Sequence, residues 1–451
     1  MKNVKIGFVP SHRAMFRDDD SFNMRNRVLK VLSKTKNVEV TVPEEPFTSK
    51  GLVRNDEDAE KTVELFNQAK VEGIVIGAMN FGDEISAVSV AAAFPKCPKL
   101  LFAVKEEPKV TGKDRRDSFC GTLSIASGLH RRSLPFLFAG VCLPEDSTFK
   151  ESITNFVQVC SVVNGFRGAK IGLVGPRPER FETCVFNEVA LLKQFEQGVF
   201  PVSLVDIFFI ADEIPESDSV LKETIQKISD QSDLSTLEKD VLKKLARLEC
   251  GLQRFADERK LAGMGIRCWP TTIRSYGVVP CHIMGRLTDQ GIMSSCEADI
   301  YGVLSMLLQY LDTMQSSVPH FIDWTVQHPE RKDVFLAWHC GNAPPSLACE
   351  GSTIQVTGIG AGSFKLKTGL VTLCRLTECD GKFKLLITKG EVIDAEPVPQ
   401  TGSWVKVPDL DKLYRTLIEG GFVHHASMIH GDYTQALSDA CRFLGIEALI
   451  V

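Results

Sequence analysis

The sequence predicts an α/β protein in which two Rossmann-like α/β domains with parallel sheets are followed by a mainly β C-terminal domain. Short apolar runs alternate with polar helical stretches through the first 165 residues, which is the pattern of βα units around a parallel sheet. The segment AKIGLVG near Lys170 resembles the opening KIGFV and indicates that a second α/β domain begins there. From Gly341 onward, Gly-rich and β-branched alternation indicates antiparallel strands. A chain of 451 residues is long enough for three domains, which we place at 1–165, 166–340 and 341–451.

The strands of the first domain are short apolar runs that are too brief for buried helices. Four are predicted: Lys5–Val9, Val38–Val42, Gly73–Gly77 and Leu100–Val104. Between the second and the third of them, Asp56–Ala69 has acidic residues in its first turn and apolar residues at helical spacing, which predicts a helix. The order strand, helix, strand is that of a parallel sheet.

The second domain begins with the strand in AKIGLVG, which is followed by a turn and the helical segment NEVALLKQF. Asp212–Gly263 is the most highly charged long segment, and its Leu and Ile spacing predicts a helical excursion with a solvated face. In the third domain, STIQVTGIGAG, FKLKTGLVTLCRLT and KFKLLITKGEVID are predicted as strands and turns, with a turn or bulge at Gly358–Gly362. The chain closes with a helix over Asp432–Gly445 and a final strand in IEALIV.

Composition argues against several classes of protein. There are 52 Lys and Arg against 57 Asp and Glu, a formal net charge of −5, so the basic excess typical of a nucleic-acid binder is missing. The apolar runs are too short to cross a bilayer, and we therefore expect no membrane partner. The 14 cysteines are scattered singly, without CxxC or zinc-finger spacing. We expect most of them to be buried thiols of a cytoplasmic protein.

Chemistry-bearing residues concentrate in the stretch from Arg267 to Gly341. It contains CWP, CEAD, the pair Asp323-Trp324 and WHCG, and two histidines, His424 and His425, follow near the C-terminus. Two carboxylates and an imidazole suit a hard divalent cation such as Mn²⁺, which keeps open positions for a hydroxyl-bearing substrate. The same carboxylates can take and return a proton. A lone Glu in such a segment is more often a helix cap or a salt-bridge partner, and spacing by itself leaves both interpretations open.

Two further side chains also have two interpretations each. Trp269 either supplies an aromatic face to a pocket or packs beside Pro270. His430 either hydrogen-bonds a substrate hydroxyl or has a structural role. His282, in the segment PCHIMG, is interpreted as a packing residue.

Several segments, taken in order along the chain, resemble the L-fucose isomerase and L-arabinose isomerase superfamily. They are RLTDQGIMSSCEADIYG, HFIDW, WHCG, HHASMIHGD and LGIEALIV. The resemblance covers essentially the whole chain and implies two α/β domains followed by a β-barrel-like domain. It also implies an aldose–ketose isomerase that uses Mn²⁺ or another divalent cation, takes a monosaccharide substrate and forms a homo-oligomer (a trimer, tetramer or hexamer).

The resemblance assigns roles to four residues. Glu297 of CEAD matches the first metal-binding and catalytic carboxylate, and Asp323 matches the second, which is Asp in the fucose isomerases and Glu in the arabinose isomerases. His425 matches the C-terminal histidine ligand of both branches, and His339 matches a further histidine of the arabinose isomerases. In the implied reaction, Glu297 and Asp323 move a proton between C1 and C2 of the sugar through an enediol.

The sugar itself is left open by the sequence. The chain is shorter than the usual bacterial sugar isomerases of the superfamily, and its pocket segments match neither branch closely. One alternative is an isomerase for an unusual sugar with an anionic substituent at C6, and another is a non-catalytic sugar-binding or regulatory protein on the same scaffold. Because Glu297 and Asp323 are expected at the end of the second domain and His425 in the third, the metal is expected to bridge two domains.

Overall fold

A computed structural model describes residues 3–107, 115–238, 240–396 and 398–451. The chain divides into two compact units, Met1–Asn164 and Gly165–Val451. The first unit contains one parallel sheet with helices between its strands, whereas the second contains both a parallel sheet and a barrel. In the part of the chain that the structure describes, no helix has the length and apolar character needed to span a membrane.

The first unit is built on a five-stranded sheet with the strand order β2-β1-β3-β4-β5, and every pairing in it is parallel. All four predicted strands and the predicted helix are confirmed. The elements are β1 (Val4–Ser11), α1 (Asp18–Leu32), β2 (Val38–Thr41), α2 (Asp56–Ala69), β3 (Gly73–Ala78), α3 (Glu84–Ala93), β4 (Lys99–Val104), α4 (Ser118–Arg131), β5 (Leu137–Cys142) and α5 (Ser147–Phe166).

Local sequence explains why these elements form where they do. The side chain of Asn55 caps α2 by accepting a hydrogen bond from the backbone N–H of Asp58. Every residue of β3 and β4 is buried, as expected for inner strands that are covered on both faces. A Cβ at Gly7 would come within 2.5 Å of the Phe66 ring, so glycine lets α2 pack directly on β1.

The second unit opens with a four-stranded parallel sheet of order β7-β6-β8-β9. The predicted restart at Lys170 is confirmed, and the charged excursion is helical, with its own small core around Leu221 and Ile228. The elements are β6 (Lys170–Val174), α6 (Glu188–Phe195), β7 (Gly198–Val202), α7 (Leu204–Asp212), α8 (Ser219–Gln231), α9 (Val241–Arg259), β8 (Gly263–Ile266), α10 (Thr271–Tyr276), α11 (Cys281–Asp289), β9 (Met293–Cys296) and α12 (Ile300–Asp312).

The rest of the second unit forms a closed antiparallel barrel. Six strands pair in the order β14-β17-β10-β11-β16-β15, and β14 pairs with β15 to close it, while β18 adds to β15 in parallel. The elements are β10 (His320–Gln327), β11 (Val334–Trp338), β12 (Gln355–Thr357), β13 (Ala361–Ser363), β14 (Gly369–Cys379), β15 (Lys382–Val392), β16 (Ser403–Lys406), α13 (Leu410–Glu419), β17 (His425–His430), α14 (Thr434–Leu444) and β18 (Glu447–Ile450).

Turn chemistry sets the register of the longest barrel hairpin. Cys379 pairs with Lys382, and the two residues between them, Asp380 and Gly381, both have positive φ angles of 53° and 76°. Asp-Gly with two positive φ angles is the sequence preferred in two-residue hairpins. Gly358–Gly360 likewise form the tight turn between β12 and β13, within the Gly358–Gly362 run where the sequence predicted a turn or bulge.

The barrel extends further toward the N-terminus than the sequence indicated. Sequence analysis placed Asp323 at the end of the second α/β domain, but its strand β10 pairs with β11 and β17 inside the barrel. The error has a physical reason: β17 lies about a hundred residues downstream, and local periodicity contains no information on pairing at that distance. Helix α13 was not predicted from the sequence either.

Candidate metal centre

Glu297 lies on a tight turn at the carboxyl edge of the parallel sheet, directly after β9. The φ angles of Glu297 and Ala298 are 57° and 60°, both in the left-handed region. The neighbouring strand supplies the space for this turn, since a Cβ at Gly265 would come within 2.9 Å of the Ala298 carbonyl carbon. The turn ends at Asp299, which caps α12 by accepting from the Gly302 backbone N–H. Glu297 is thereby held as a buried carboxylate, 8% exposed.

Two of the other predicted site residues lie on adjoining strands of the barrel, and the third follows the end of a barrel strand. Asp323 on β10 is paired directly with His425 on β17 and, on its other side, with Trp338 on β11. His339 follows Trp338 in the chain. The ring of Phe321 packs against both His339 and His425, with centroids 5.2 and 4.8 Å away. Strand register and this aromatic contact therefore position the two imidazoles.

The structure brings the four predicted residues together. His425 Nε2 lies 2.8 Å from Glu297 Oε2 and 3.7 Å from Asp323 Oδ1. Ligand atoms of Glu297, His339 and His425 all lie within 4.8 Å of one another, and the same holds for Asp323, His424 and His425. His425 thus belongs to two sets of candidate ligand atoms, one with Glu297 and His339 and one with Asp323 and His424.

Asp299 and Arg375 stand behind His425, and sequence reasoning assigned neither of them a role. Asp299 Oδ2 lies 2.8 Å from His425 Nδ1. Both oxygens of Asp299 also contact the Arg375 guanidinium, with Nη2 3.1 Å from Oδ1. Arg375 is only 1% exposed, and a lone Arg within the apolar strand segment TLCRLT is the one sequence signal that predicts a buried ion pair here. Burial would raise the pKa of Asp299, but the Arg375 charge and His425 hold it well below its usual range.

The buried charges shift the pKa of each carboxylate at the centre differently. Burial raises the pKa of Asp323 to about 7, and the nearby negative charges of Glu297 and Asp299 add to the effect. Burial alone would also raise the pKa of Glu297, but the neighbouring His425 outweighs it and the net shift is downward. Burial works against charge on His425 as well, yet attraction to Asp299 and Glu297 keeps its pKa well above the ordinary value.

The two histidines differ in what their Nδ1 atoms do. Asp299 is a hydrogen-bond acceptor, so His425 donates its Nδ1–H to it and its Nε2 faces Glu297 and Asp323. His339 Nδ1 instead accepts from the backbone N–H of Cys340 at 2.9 Å. A neutral His339 ring therefore carries its proton on Nε2. Burial lowers the pKa of His339 to about 3, which keeps that ring neutral.

Trp269 belongs to the centre rather than to the packing around it. Its indole Nε1–H donates to Glu297 Oε1 at 2.9 Å, while its ring remains 39% exposed. The ring of Phe181 packs edge-on against both Trp269 and His424, which makes a short aromatic wall beside Glu297.

The remaining histidines lie outside the centre. His430, at the far end of β17, contacts the backbone oxygen of Lys367 through Nε2 at 2.9 Å, which fits the structural interpretation. His282 is 1% exposed and, among the described residues, neither ring nitrogen has a hydrogen-bond partner, so it is a packing residue as predicted.

Comparison with known proteins accounts for this arrangement. Residues 7–167 match the model of the fucose/sulfoquinovose isomerase N-terminal domain, and residues 339–450 match the L-fucose isomerase C-terminal domain. The chain belongs to the L-fucose and L-arabinose isomerase superfamily. It is 27% identical over 460 residues to proteins named sulfoquinovose isomerase from Priestia aryabhattai and Priestia megaterium, with complete coverage of both chains in each case.

A more distant relative comes from the second branch of this superfamily. An L-arabinose isomerase of Tolumonas auensis is 22% identical over 331 residues, which cover 68% of this chain and 65% of the relative. The two matched domain models leave residues 168–338 between them, and Glu297 and Asp323 lie in that interval. The full-length relatives cover the interval as well. The chain is accordingly an enzyme of the aldose–ketose sugar isomerase class.

Proposed function

We propose that this enzyme is a Mn²⁺-dependent isomerase that converts an aldose with an anionic substituent into the corresponding ketose. The proposed metal requirement rests on the positions of three buried polar atoms, which are Glu297 Oε2, Asp323 Oδ1 and His425 Nε2. Asp323 Oδ1 is buried without a hydrogen-bond partner among the described residues, and it lies 3.7 Å from His425 Nε2, which is in turn 2.8 Å from Glu297 Oε2. Buried polar atoms without partners are costly, and a cation between them removes that cost.

The donor set suits a hard divalent ion. Two carboxylate oxygens and one imidazole nitrogen are ligands that Mn²⁺ accepts, and we assign it to Glu297, Asp323 and His425. Asp299 orients the His425 ring through Nδ1, as carboxylates commonly do behind metal-bound histidines. When bound, the cation supplies polarisation of the sugar carbonyl and attraction for the negative charge that develops on its oxygen.

The protein's own residues perform the proton transfer. Glu297 and Asp323 approach His425 Nε2 from different elements, a turn of the α/β part and a barrel strand. We assign them as the acid–base pair that moves a proton between C1 and C2 of the sugar. Trp269 holds Glu297 by its indole N–H and offers its exposed ring face to the sugar.

His339 has two candidate roles in this scheme. Its resemblance to the arabinose isomerase histidine favours a metal ligand. The hydrogen bond that its Nδ1 accepts from Cys340 favours Nε2 as a hydrogen-bond donor to substrate, because the proton of the neutral ring then sits on Nε2. We propose the donor role.

The anionic substituent is inferred from arginines at the edge that carries Glu297. Arg177 and Arg180 follow β6 and Arg267 follows β8, and carboxyl ends of neighbouring parallel strands meet at one edge of a sheet. The Arg267 Nε is buried and has no hydrogen-bond partner among the described residues. A sulfonate at C6 fits such a guanidinium, and the relatives that match the full chain are named for a sulfonated sugar.

A substrate panel tests this proposal. The metal-stripped protein is reloaded with Mn²⁺ and incubated with sulfoquinovose, L-fucose and L-arabinose, and ketose formation is followed. We expect turnover of the sulfonated sugar, loss of turnover with EDTA, and better recovery with Mn²⁺ than with Zn²⁺. Full activity of exhaustively chelated protein would contradict the metal assignment.

Substitution of Arg267 tests the substrate class. Arg267→Ala is expected to raise KM for the anionic sugar much more than for a neutral one, because only the former loses an ion pair. Arg415→Ala, on the exposed face of α13, is the matched control and should leave both values unchanged. An equal change in KM for the two sugars would show that Arg267 does not bind the anionic substituent.

The non-catalytic sugar-binding protein that the sequence left open is not supported, because the relatives of this chain are named sugar isomerases. The convergence of both carboxylates on His425 argues against it, since a binding protein has no need for an acid–base pair. Sugar binding with Mn²⁺ but without any ketose formation would favour it. Assembly as a trimer, tetramer or hexamer and a cytoplasmic location remain predictions, and sedimentation of the Mn²⁺-loaded protein checks the first.

A further inference from the structure

A pair of thiols lies beside Glu297, which also contacts His425. Cys268 Sγ and Cys296 Sγ are 2.9 Å apart, and the side chains are 5% and 1% exposed. Both Sγ atoms lie within 4.8 Å of a carboxylate oxygen of Glu297. Cys296 ends β9 and Cys268 lies just beyond β8, so neighbouring parallel strands bring them to the same edge as the metal centre.

We propose that Cys268, Cys296 and Glu297 form a second cation site, with a preference for a soft ion such as Zn²⁺ or Cd²⁺. Thiolate sulfur selects soft ions, while carboxylate oxygen and imidazole accept harder ones. Binding replaces the two S–H bonds by two metal–sulfur bonds, and the two protons go to solvent. No electron is transferred, so no oxidant is needed.

The third donor, not the sulfur–sulfur distance, favours an ion over a disulfide. Two thiolates on one tetrahedral Zn²⁺ stand about 3.8 Å apart, since each Zn–S bond is about 2.3 Å. A disulfide needs sulfurs about 2.0 Å apart, and the observed 2.9 Å lies between these values. The Glu297 carboxylate distinguishes a cation site from a disulfide. A carboxylate beside both sulfurs can bind a cation, whereas a disulfide has no use for it.

Two more thiols surround the pair and are candidates for the fourth position. Cys281 and Cys340 are both close enough to Cys268 to interact with it electrostatically. Cys281 is 3% exposed, so the cluster is closed to bulky reagents.

Sharing of Glu297 makes the two cation sites compete, and this consequence rests on the proposed function. One carboxylate oxygen faces His425 and the other accepts from Trp269. An ion held by the thiols draws an oxygen of Glu297 away from the first site. A soft cation should therefore weaken Mn²⁺ binding without reaching Asp323 or His339.

Titration of the reduced, metal-stripped protein with Cd²⁺ tests the site directly. With a phosphine reductant present, we expect one Cd²⁺ per chain and the ultraviolet absorption of cadmium–thiolate bonds. Cys268→Ser and Cys296→Ser should each reduce that absorption and weaken Cd²⁺ binding at least about tenfold, because even outer-shell changes cost that much at metal sites. Cys441→Ser, at another buried thiol on α14, is the control and should behave as wild type.

Several outcomes would overturn the proposal. Cd²⁺ binding without thiolate absorption in the wild type is one, and unchanged absorption in both folded serine variants is another. A mass two hydrogens lower before reduction, together with no Cd²⁺ binding after it, would identify a disulfide pair instead. If Cys268→Ser fails to fold, as judged by circular dichroism, Cys268→Ala and Cys296→Ser decide the question.

Competition separates this site from the proposed function. Paramagnetic resonance of bound Mn²⁺ should show Cd²⁺ displacing it at least about tenfold less effectively in Cys268→Ser than in wild type. Equal displacement in both would refute the sharing of Glu297. Failure of Mn²⁺ to bind at all would count against the proposed function alone, because the thiolate absorption of Cd²⁺ does not depend on Mn²⁺.

Discussion

The carboxyl edge of the β7-β6-β8-β9 sheet and the wall of the barrel contribute to the metal centre in opposite ways. The sheet edge presents Glu297 on a turn whose two residues have positive φ angles, and a missing side chain at Gly265 provides the room. The barrel presents Asp323 and His425 as directly paired residues of adjacent strands. One side depends on local backbone conformation and the other on strand register.

This difference indicates which side tolerates change. A barrel strand is held by hydrogen bonds to two neighbours, so its side chains keep their positions when one contact is lost. The Glu297 turn depends on a few close contacts, and the same turn also carries the proposed acid–base residue and borders the thiols. We expect substitutions on the sheet side to affect turnover most and those on the barrel side to separate metal affinity from turnover.

The largest effect is expected from Glu297→Gln. The change removes a ligand charge and a proton acceptor at nearly constant volume, so kcat should fall at least about 10²-fold. Steady-state kinetics with Mn²⁺ in excess measure it, and circular dichroism verifies the fold. Glu419→Gln at the end of α13 is the matched control. Activity within a few-fold of wild type would mean that Glu297 is structural.

His425→Ala and His339→Gln should separate the two barrel histidines. We expect His425→Ala to lose most Mn²⁺ affinity, because its Nε2 faces both carboxylates, whereas His339→Gln should keep affinity and lower kcat/KM. Saturating Mn²⁺ at 100 times its Kd stabilises the wild type by about 2.7 kcal/mol. Calorimetric titration measures the Mn²⁺ affinity of both variants, and the Mn²⁺-induced rise in Tm measures how far the ion stabilises each of them. Equal loss of affinity in the two would make His339 a ligand.

Gly265→Ala should disturb the sheet side without touching any proposed ligand. Its Cβ would meet the Ala298 backbone at 2.9 Å, so the turn must shift or the protein loses stability, at about 1–3 kcal/mol for an overpacked core. We expect lower kcat and a lower Tm. Gly198→Ala in the same sheet is the control, since its Cβ meets only a Phe200 side chain at 3.0 Å. If the two variants behave alike, the Glu297 turn is not sensitive to this contact.

The smallest effect concerns stability in acid. Burial lowers the pKa of His282 to about 3, below its ordinary value of 6.5. The folded state therefore excludes a proton that the unfolded chain binds below about pH 6.5, so stability is constant above that pH and declines as the pH falls toward 3. At pH 5.5 the loss is about 1.4 kcal/mol. Urea unfolding at pH 7.5 and 5.5 should show a smaller difference for His282→Gln than for wild type.

Much of this protein could be predicted from local sequence. Helix α2 was predicted with its observed bounds, the strands β1 to β4 to within a few residues, and the change to antiparallel strands was recognised from alternation and turns. The reasons are local: an acidic first turn, short apolar runs, and an Asp-Gly turn that joins β14 to β15. Glu297, Asp323, His339 and His425 were found through the family resemblance, since spacing left the CEAD glutamate open to a structural interpretation.

The sequence by itself determined the order of α/β and β elements, the buried state of most cysteines and the residue types available for chemistry. Only the tertiary structure decided that β10 belongs to the barrel, that Asp299 and Arg375 orient His425, and that Cys268 and Cys296 meet beside Glu297. Helix and strand periodicity come from neighbours in the chain. These contacts join residues between 28 and 126 positions apart, and only packing and strand register select such pairs.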